Sequence, residues 1–141
     1  MPAKTISIEF DGYWLEKSIG DVPSKSGIYV VYECSYNAQA NTVSLLKVIY
    51  IGESTDVNAR IANHEKWPLW RRHCGANNKI CFSFGPVVSP DRERGEAAMI
   101  YKHKPPVNDE YKNSFPFDRT TMSLSGKTNL LETYFTVYRK D

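Results

Sequence analysis

Residues 5–10 alternate without a break: Ile6, Ile8 and Phe10 take one side, Thr5, Ser7 and Glu9 the other. A period of two predicts a strand with one buried face, and Asp11-Gly12 supplies a turn after it. Residues 13–21 keep no period and read as an irregular arm, closed by Val22-Pro23-Ser24. Two compact β-rich runs follow, residues 27–32 and 45–51, joined by the polar stretch 36–42. Consecutive strands with a polar connection predict an antiparallel pair. After Gly52, any of Ser54, Thr55 and Asp56 can cap a helix over residues 57–66, on which Arg60 and His64 stand one turn apart. Pro68 interrupts, and residues 69–74 predict a short helical turn ending at Gly75. Ile80, Phe82 and Phe84 alternate with Cys81 and Ser83 as a further strand. Ser89-Pro90-Asp91 is a strong helix start, and that helix must stop by Pro105. In the tail, Met122 and Leu124 alternate with polar neighbours and residues 134–138 are β-rich, which predicts short strands. The sum is an α+β domain: a small, mostly antiparallel central β-sheet flanked by α-helices.

At 141 residues the chain fits one domain, 1–141, with an ordinary hydrophobic core. No apolar run reaches membrane-spanning length, and Met-Pro-Ala-Lys-Thr lacks the apolar stretch of a signal peptide. A cytoplasmic protein without a membrane partner is expected. Cys34, Cys74 and Cys81 have no C-x-x-C spacing and fit buried thiols better than a disulfide framework or a zinc site. The net charge of +2 excludes a polycation and an acidic tail, yet it hides an uneven distribution. Residues 60–104 hold nine Lys and Arg against four acids, a local +5 that leaves −3 elsewhere. A local basic surface can neutralise phosphates while the overall charge stays small. Lys66, Arg71, Arg72, Arg92, Lys102 and Lys104 are the candidate nucleic-acid contacts. Residues 66–72 interleave cations with Trp67 and Trp70, as strand-binding surfaces do. Burial of both indoles in the core, with the cations merely solubilising, stands as the equal alternative.

Gly27-Ile28-Tyr29 and Tyr50-Ile51-Gly52 fall on the two consecutive predicted strands. Ordinary residue frequencies put a given tripeptide at odds of roughly one in ten thousand per position, so the ordered pair is far from chance. Ser54 follows, then Arg60 and His64 on the next helix, Glu96 on the second helix, and Asn108 just past two prolines. In these features the chain resembles the GIY-YIG nuclease superfamily, with a site pattern like its restriction-endonuclease branch. The resemblance covers residues 23–108 as the nuclease core. Residues 1–22 form an N-terminal strand and arm, and 109–141 a C-terminal extension. A longer connection between the first two core strands departs from compact members and reads as a loop excursion.

Phosphodiester cleavage needs an activated water, a metal to polarise phosphate, and cations for developing charge. Glu96 offers a hard oxygen ligand suited to Mg²⁺ or Mn²⁺, which keep several waters. Arg60 offers a planar fork to phosphate oxygens. Tyr29 and Tyr50 can hold water or phosphate through their hydroxyls, and His64 can donate to phosphate or orient a tyrosine. Singly, each has a bland reading: a core tyrosine, a solvated Arg60, a surface His64, Glu96 as an i,i+4 partner of Arg92, Asn108 as a turn residue. The resemblance implies Tyr29 as general base, with help needed to bring down a phenol near pKa 10. It also implies that Asn108 supports the site through Tyr29 or the metal shell, and that the products carry 5′-phosphate and 3′-hydroxyl ends.

The expected activity is a Mg²⁺- or Mn²⁺-dependent DNA endonuclease without an organic cofactor. One site cuts one strand, so double-strand cleavage needs a homodimer or two nicks. The rival is a catalytically weak or inactive DNA-binding module on the same scaffold. A third reading places sequence specificity in residues 111–141.

Overall fold

In the computed structural model, residues 2–141 are described. The elements in chain order are β1 (Lys4–Leu15), a 3₁₀ turn (Glu16–Asp21), β2 (Gly27–Asn37), β3 (Thr42–Ser54), α1 (Val57–Ala62), α2 (Trp67–Arg72), β4 (Lys79–Pro86), α3 (Asp91–His103), β5 (Thr120–Gly126) and β6 (Tyr134–Val137). The architecture is α+β. One six-stranded sheet runs in the order β3-β2-β4-β1-β5-β6. The pairing of β1 with β5 is parallel and the others are antiparallel, so the sheet is mixed. No helix among the described residues is long and apolar enough to cross a membrane.

Strand β1 behaves as its alternation predicts up to Phe10, with Ile6, Ile8 and Phe10 buried and Thr5, Ser7 and Glu9 exposed. It then departs from expectation. Asp11-Gly12 does not turn the chain, and residues 13–15 are strand rather than irregular arm. The register slips between Gly12 and Trp14, so residues 4–10 pair with β5 while residues 11–15 pair with β4. A bulge of this kind bends one strand so that it can serve two partners. The segments read from sequence as flanks therefore supply β1, β5 and β6 to the same sheet.

Both sheet faces are covered. On β2, Ile28, Val30, Tyr32 and Cys34 join the core under α3, with Phe10, Cys81, Ala97 and Met122. The intervening Tyr29 and Val31 join a second core with Ile61, Trp70, Ile80, Phe82 and Phe84. This is why β4 is buried at six consecutive positions although its sequence alternates.

The helix predicted over residues 57–66 is shorter. Asp56 caps α1 by accepting from the Ala59 amide, and α1 ends at Ala62. The chain then restarts as α2, with Pro68 in its first turn. His64 thus lies in the link, where its Nδ1 accepts from the Lys66 amide at 3.1 Å. It does not stand one turn along a shared helix from Arg60. Ser89 does not cap α3 by bonding its backbone; its hydroxyl donates to Glu93 at 2.6 Å.

Candidate active site

The two glycine-tyrosine tripeptides are explained by packing. In the β2–β3 pair, the Tyr29 Cα faces Gly52 and Val31 faces Tyr50. The Tyr29 ring, 1 % exposed, lies across Gly52. A Cβ on Gly52 would stand 2.3 Å from both Cζ and Oη of Tyr29. A Cβ on Gly27 would stand 2.4 Å from the Gly85 carbonyl oxygen and 2.5 Å from a Phe84 ring carbon. Diagonal placement across the ladder brings the Tyr29 and Tyr50 ring centroids to 6.3 Å. The His64 ring packs edge-on to both, 5.2 Å from Tyr50 and 6.1 Å from Tyr29, and 4.6 Å from Trp70.

Strand β3 is the sheet edge, so groups from both faces meet around it. Tyr29, Tyr50, Arg60, Glu96 and Asn108 line one cavity of about 370 Å³ there, with His64 packed behind the tyrosines. Lys66, Glu53, Asp109, Glu110 and Tyr111 complete its polar wall. A larger cavity of about 820 Å³ lies at the other end of β2, by Tyr36 and Cys74, and contains none of these groups.

Asn108 has a defined structural task. Its Oδ1 accepts from the Ile51 amide at 3.0 Å and its Nδ2 donates to the Ile51 carbonyl at 2.8 Å. The Val107 amide donates to the Ile49 carbonyl. An asparagine side chain thus pairs with the open edge of β3, satisfying groups that lack a neighbouring strand. The amide holds the Ile51 backbone, a partner that the sequence did not suggest. Ser54 is likewise a turn builder, bonding the Asp56 backbone in both directions.

The electrostatics divide the site. Burial, then Glu53, Glu110 and Glu93, push the Glu96 carboxyl up to about 8, with Arg92 opposing. Burial and then Glu96 push Tyr50 up to about 12. Tyr29 is driven far above the ordinary phenol range by burial, Tyr50 and Glu96, and these outweigh the pull of Arg60. Both phenols therefore stand as proton donors at neutral pH. Burial and then Arg60 lower His64 to about 4. With Nδ1 accepting, the neutral ring carries its proton on Nε2, which has no hydrogen-bond partner among the described residues. Arg60 forks onto Glu65 at 2.8 and 3.0 Å, and Lys66 pairs with Asp109 at 3.2 Å.

The cation-rich segment is mostly committed within the fold. Arg92 is 12 % exposed in its side chain and donates to Glu53 at 2.6 Å and Ser26 at 2.8 Å. It balances the acidic side of the site and does not stand free for a phosphate. Arg94 is buried, bonding Thr120 and the carbonyls of Pro2, Asp118 and Arg119. Arg71 forks onto Glu16 and lies over the Trp67 ring. Trp70 is fully buried, and Trp67 is partly buried with its indole donating to the Ile61 carbonyl. The aromatic-basic run is thus core packing, and only Arg72, Lys102 and Lys104 of the expected contacts are both exposed and outside any ion pair within the described residues.

Sequence reasoning missed Glu53, Glu110 and Tyr111. Glu53 directly follows Tyr50-Ile51-Gly52, and Glu110 and Tyr111 lie within three residues of Asn108, so adjacency was the available signal. Tyr111 holds φ at 63°, a left-handed conformation that costs a non-glycine residue about 1–2 kcal/mol. Such conformations cluster at functional sites. No group of three or more His, Cys, Asp or Glu side chains among the described residues is arranged to hold a metal. No family model, curated relative or solved structure matches the chain.

Proposed function

We propose that this protein is a divalent-metal-dependent DNA endonuclease of the GIY-YIG type. One observation carries the reading: five residues spread from position 29 to 108 line a single cavity, with His64 behind two of them. Glu96 would hold Mg²⁺ or Mn²⁺. Its carboxyl sits in a negative setting that favours a bound positive charge, and a single carboxylate suits a cation that keeps its waters. When bound, such an ion polarises the phosphate and acidifies a water.

The chain's own groups supply the rest. Arg60 exchanges Glu65 for a phosphate oxygen pair, since its fork fits either. Tyr50 donates a hydrogen bond from its hydroxyl. Tyr29 is the general base by resemblance; burial and then Tyr50 hold its phenol protonated, so it must first give up that proton, and Arg60 is the one neighbour that draws it down. The His64 imidazole, neutral and packed against both rings, fixes their orientation. Asn108 fixes the strand that carries Tyr50. Water attacks phosphorus in line and gives a proton to the deprotonated Tyr29 oxygen, the new O–P bond forms as the bond to O3′ breaks, and the departing O3′ takes a proton from solvent water. The products are a 5′-phosphate and a 3′-hydroxyl.

The Arg60–Glu65 fork and the raised phenols favour a second reading, a DNA-binding module that does not cut. Incubation of duplex, single-stranded and branched DNA with Mg²⁺ or Mn²⁺ separates the two. Fragments that DNA ligase rejoins without prior phosphorylation, lost in Glu96→Ala, support the nuclease. Salt-sensitive binding of all three forms without cleavage supports the module.

A further inference from the structure

Four carboxylates line the proposed site against Arg60 and Lys66, and both cations are already paired within the chain. A phosphate backbone gains little at such a mouth, so the attraction has to come from flanking surface. Residues 66–72 supply only Arg72, because their aromatics are packed inward and Lys66 and Arg71 are paired.

The C-terminal end of α3 supplies more. Ile100 lines the site, while the next residue, Tyr101, lines a separate groove of about 480 Å³. That groove is walled by Tyr101, Lys102, Thr136, Tyr138, Arg139 and Lys140, with no carboxylate. A second groove of about 370 Å³ shares Thr136 and Tyr138 and continues to Arg119 and Lys4, again without a carboxylate. The Lys104 ammonium stands 4.0 Å from the centre of the Tyr101 ring and donates to the Lys112 carbonyl. Burial, then the nearby charges of Lys140 and Lys112, draw Lys104 below its ordinary value. Ion pairs among the described residues tie Lys4 to Asp91 and Arg139 to Asp118 but leave Lys102, Lys104, Lys112 and Lys140 without a carboxylate. Strand β6 is the outer strand of the sheet, and Tyr138 is 65 % exposed on its margin.

We infer that a DNA strand held at the site runs on over this face, its phosphates on Lys102, Lys104, Lys112 and Lys140 and its bases or sugars against Tyr101 and Tyr138. The inference rests on the proposed nuclease reading and names the surface that reading needs. Glu96 and Tyr101 are five helical residues apart, an axial rise of about 7.5 Å with a rotation of about 140°, so a strand passing from the site to the groove wraps around the C-terminal part of α3. An acidic protein segment would be drawn by the same charge. The interleaved tyrosines favour a nucleic acid, whose bases stack on aromatic rings.

Fluorescence anisotropy of labelled duplex and single-stranded DNA, in EDTA and from about 50 to 200 mM salt, tests this on the full chain. The variant is Lys102→Gln/Lys112→Gln/Lys140→Gln. The charge-matched control is Lys17→Gln/Lys47→Gln/Lys79→Gln, around the far end of β2, and thermal melts verify that both fold. Lys104 is left in place because it closes α3 in a left-handed conformation. The variant should lose about 10–100-fold in affinity and about two to three units of salt slope, with the control within about twofold of wild type. Equal binding by variant and wild type, or an equal loss in the control, overturns the surface. Binding of polyglutamate but not DNA overturns it in favour of an acidic protein. Wild-type cleavage with an unaffected variant removes the surface alone. Wild-type binding that falls in the variant, without cleavage in Mg²⁺, removes the nuclease and leaves the surface.

Discussion

Gly52→Ala places a methyl group where the Tyr29 ring lies. The added carbon would stand 2.3 Å from Cζ and Oη and 2.9 Å from Cε1 of Tyr29. Carbon atoms meet comfortably at about 3.5–4.0 Å, so the ring must retreat by more than about 1 Å. Tyr29 is almost wholly enclosed and packs with Val31, Ile61 and Phe84 in one core, so the retreat displaces neighbours as well. Overpacking of this kind costs about 1–3 kcal/mol. At this chain length that is a fall in Tm of about 3–10 °C. The three closest atoms all belong to Tyr29, which makes the clash separable. A Tyr29→Ala background removes the three atoms nearest the added methyl group, and there Gly52→Ala should be close to neutral. Denaturant unfolding of wild type, both single variants and the double variant gives the coupling energy, expected at about 1–3 kcal/mol. A neutral Gly52→Ala, or the same loss on both backgrounds, would refute the claim that this glycine exists to seat the tyrosine.

Asn108→Ala strips the Ile51 amide and carbonyl of their partners; chemical unfolding should register a loss of about 2–4 kcal/mol, the cost of buried groups left unpaired. For Glu96, the folded chain holds its proton to about 8 against an ordinary 4.5. Between those values the folded state is the more protonated, so stability falls as pH rises through that window, by up to about 1.4 kcal/mol per pH unit. Glu96→Gln should flatten the slope, and saturating Mg²⁺ should raise the Tm of wild type at pH 8 but not that of Glu96→Gln. His64 is held down to about 4, so its contribution is lost as pH falls from about 6.5 through that value. Imidazole resonances assigned to His64 should stay neutral above pH 5; a midpoint near 6.5 would contradict its burial behind the tyrosines.

Much of the sheet was legible because exposure on one face writes a period of two into the sequence. Residues 5–10 show this, with every apolar position buried. The β2–β3 pair was legible from two β-rich runs joined by a polar stretch, and the two tripeptides on them hold a glycine and a tyrosine, Gly52 and Tyr29, that pack against each other across the ladder. What failed were features fixed by distant partners. Residues 11–15 extend β1 only because β4 lies beside them. Arg94 reads as a surface cation but is satisfied by four oxygens from Thr120, Pro2, Asp118 and Arg119. Trp70 reads equally well as a stacking platform or a core residue until the position of Phe82 decides it. His64 falls outside α1 because α1 ends at Ala62 and the chain restarts as a second helix at Trp67, with Pro68 in its first turn, a break whose place periodicity does not give. In the candidate site, the residue types that recognise phosphate were visible in order along the chain. Burial and the acids that raise Glu96 were only partly visible: Glu93 stands one turn before it on α3, whereas Glu53 comes from β3 and Glu110 from the segment after Asn108.

The central claim is that this cavity cuts phosphodiester bonds with the help of a cation held at Glu96. A supercoiled plasmid incubated with the purified chain and Mg²⁺ or Mn²⁺, with nicked and linear forms resolved on a gel, reads it directly. Nicked product that depends on the added metal and disappears in Glu96→Gln, while that variant still melts cooperatively, is the predicted result. Intact plasmid under every metal condition, or equal nicking by Glu96→Gln, would contradict it.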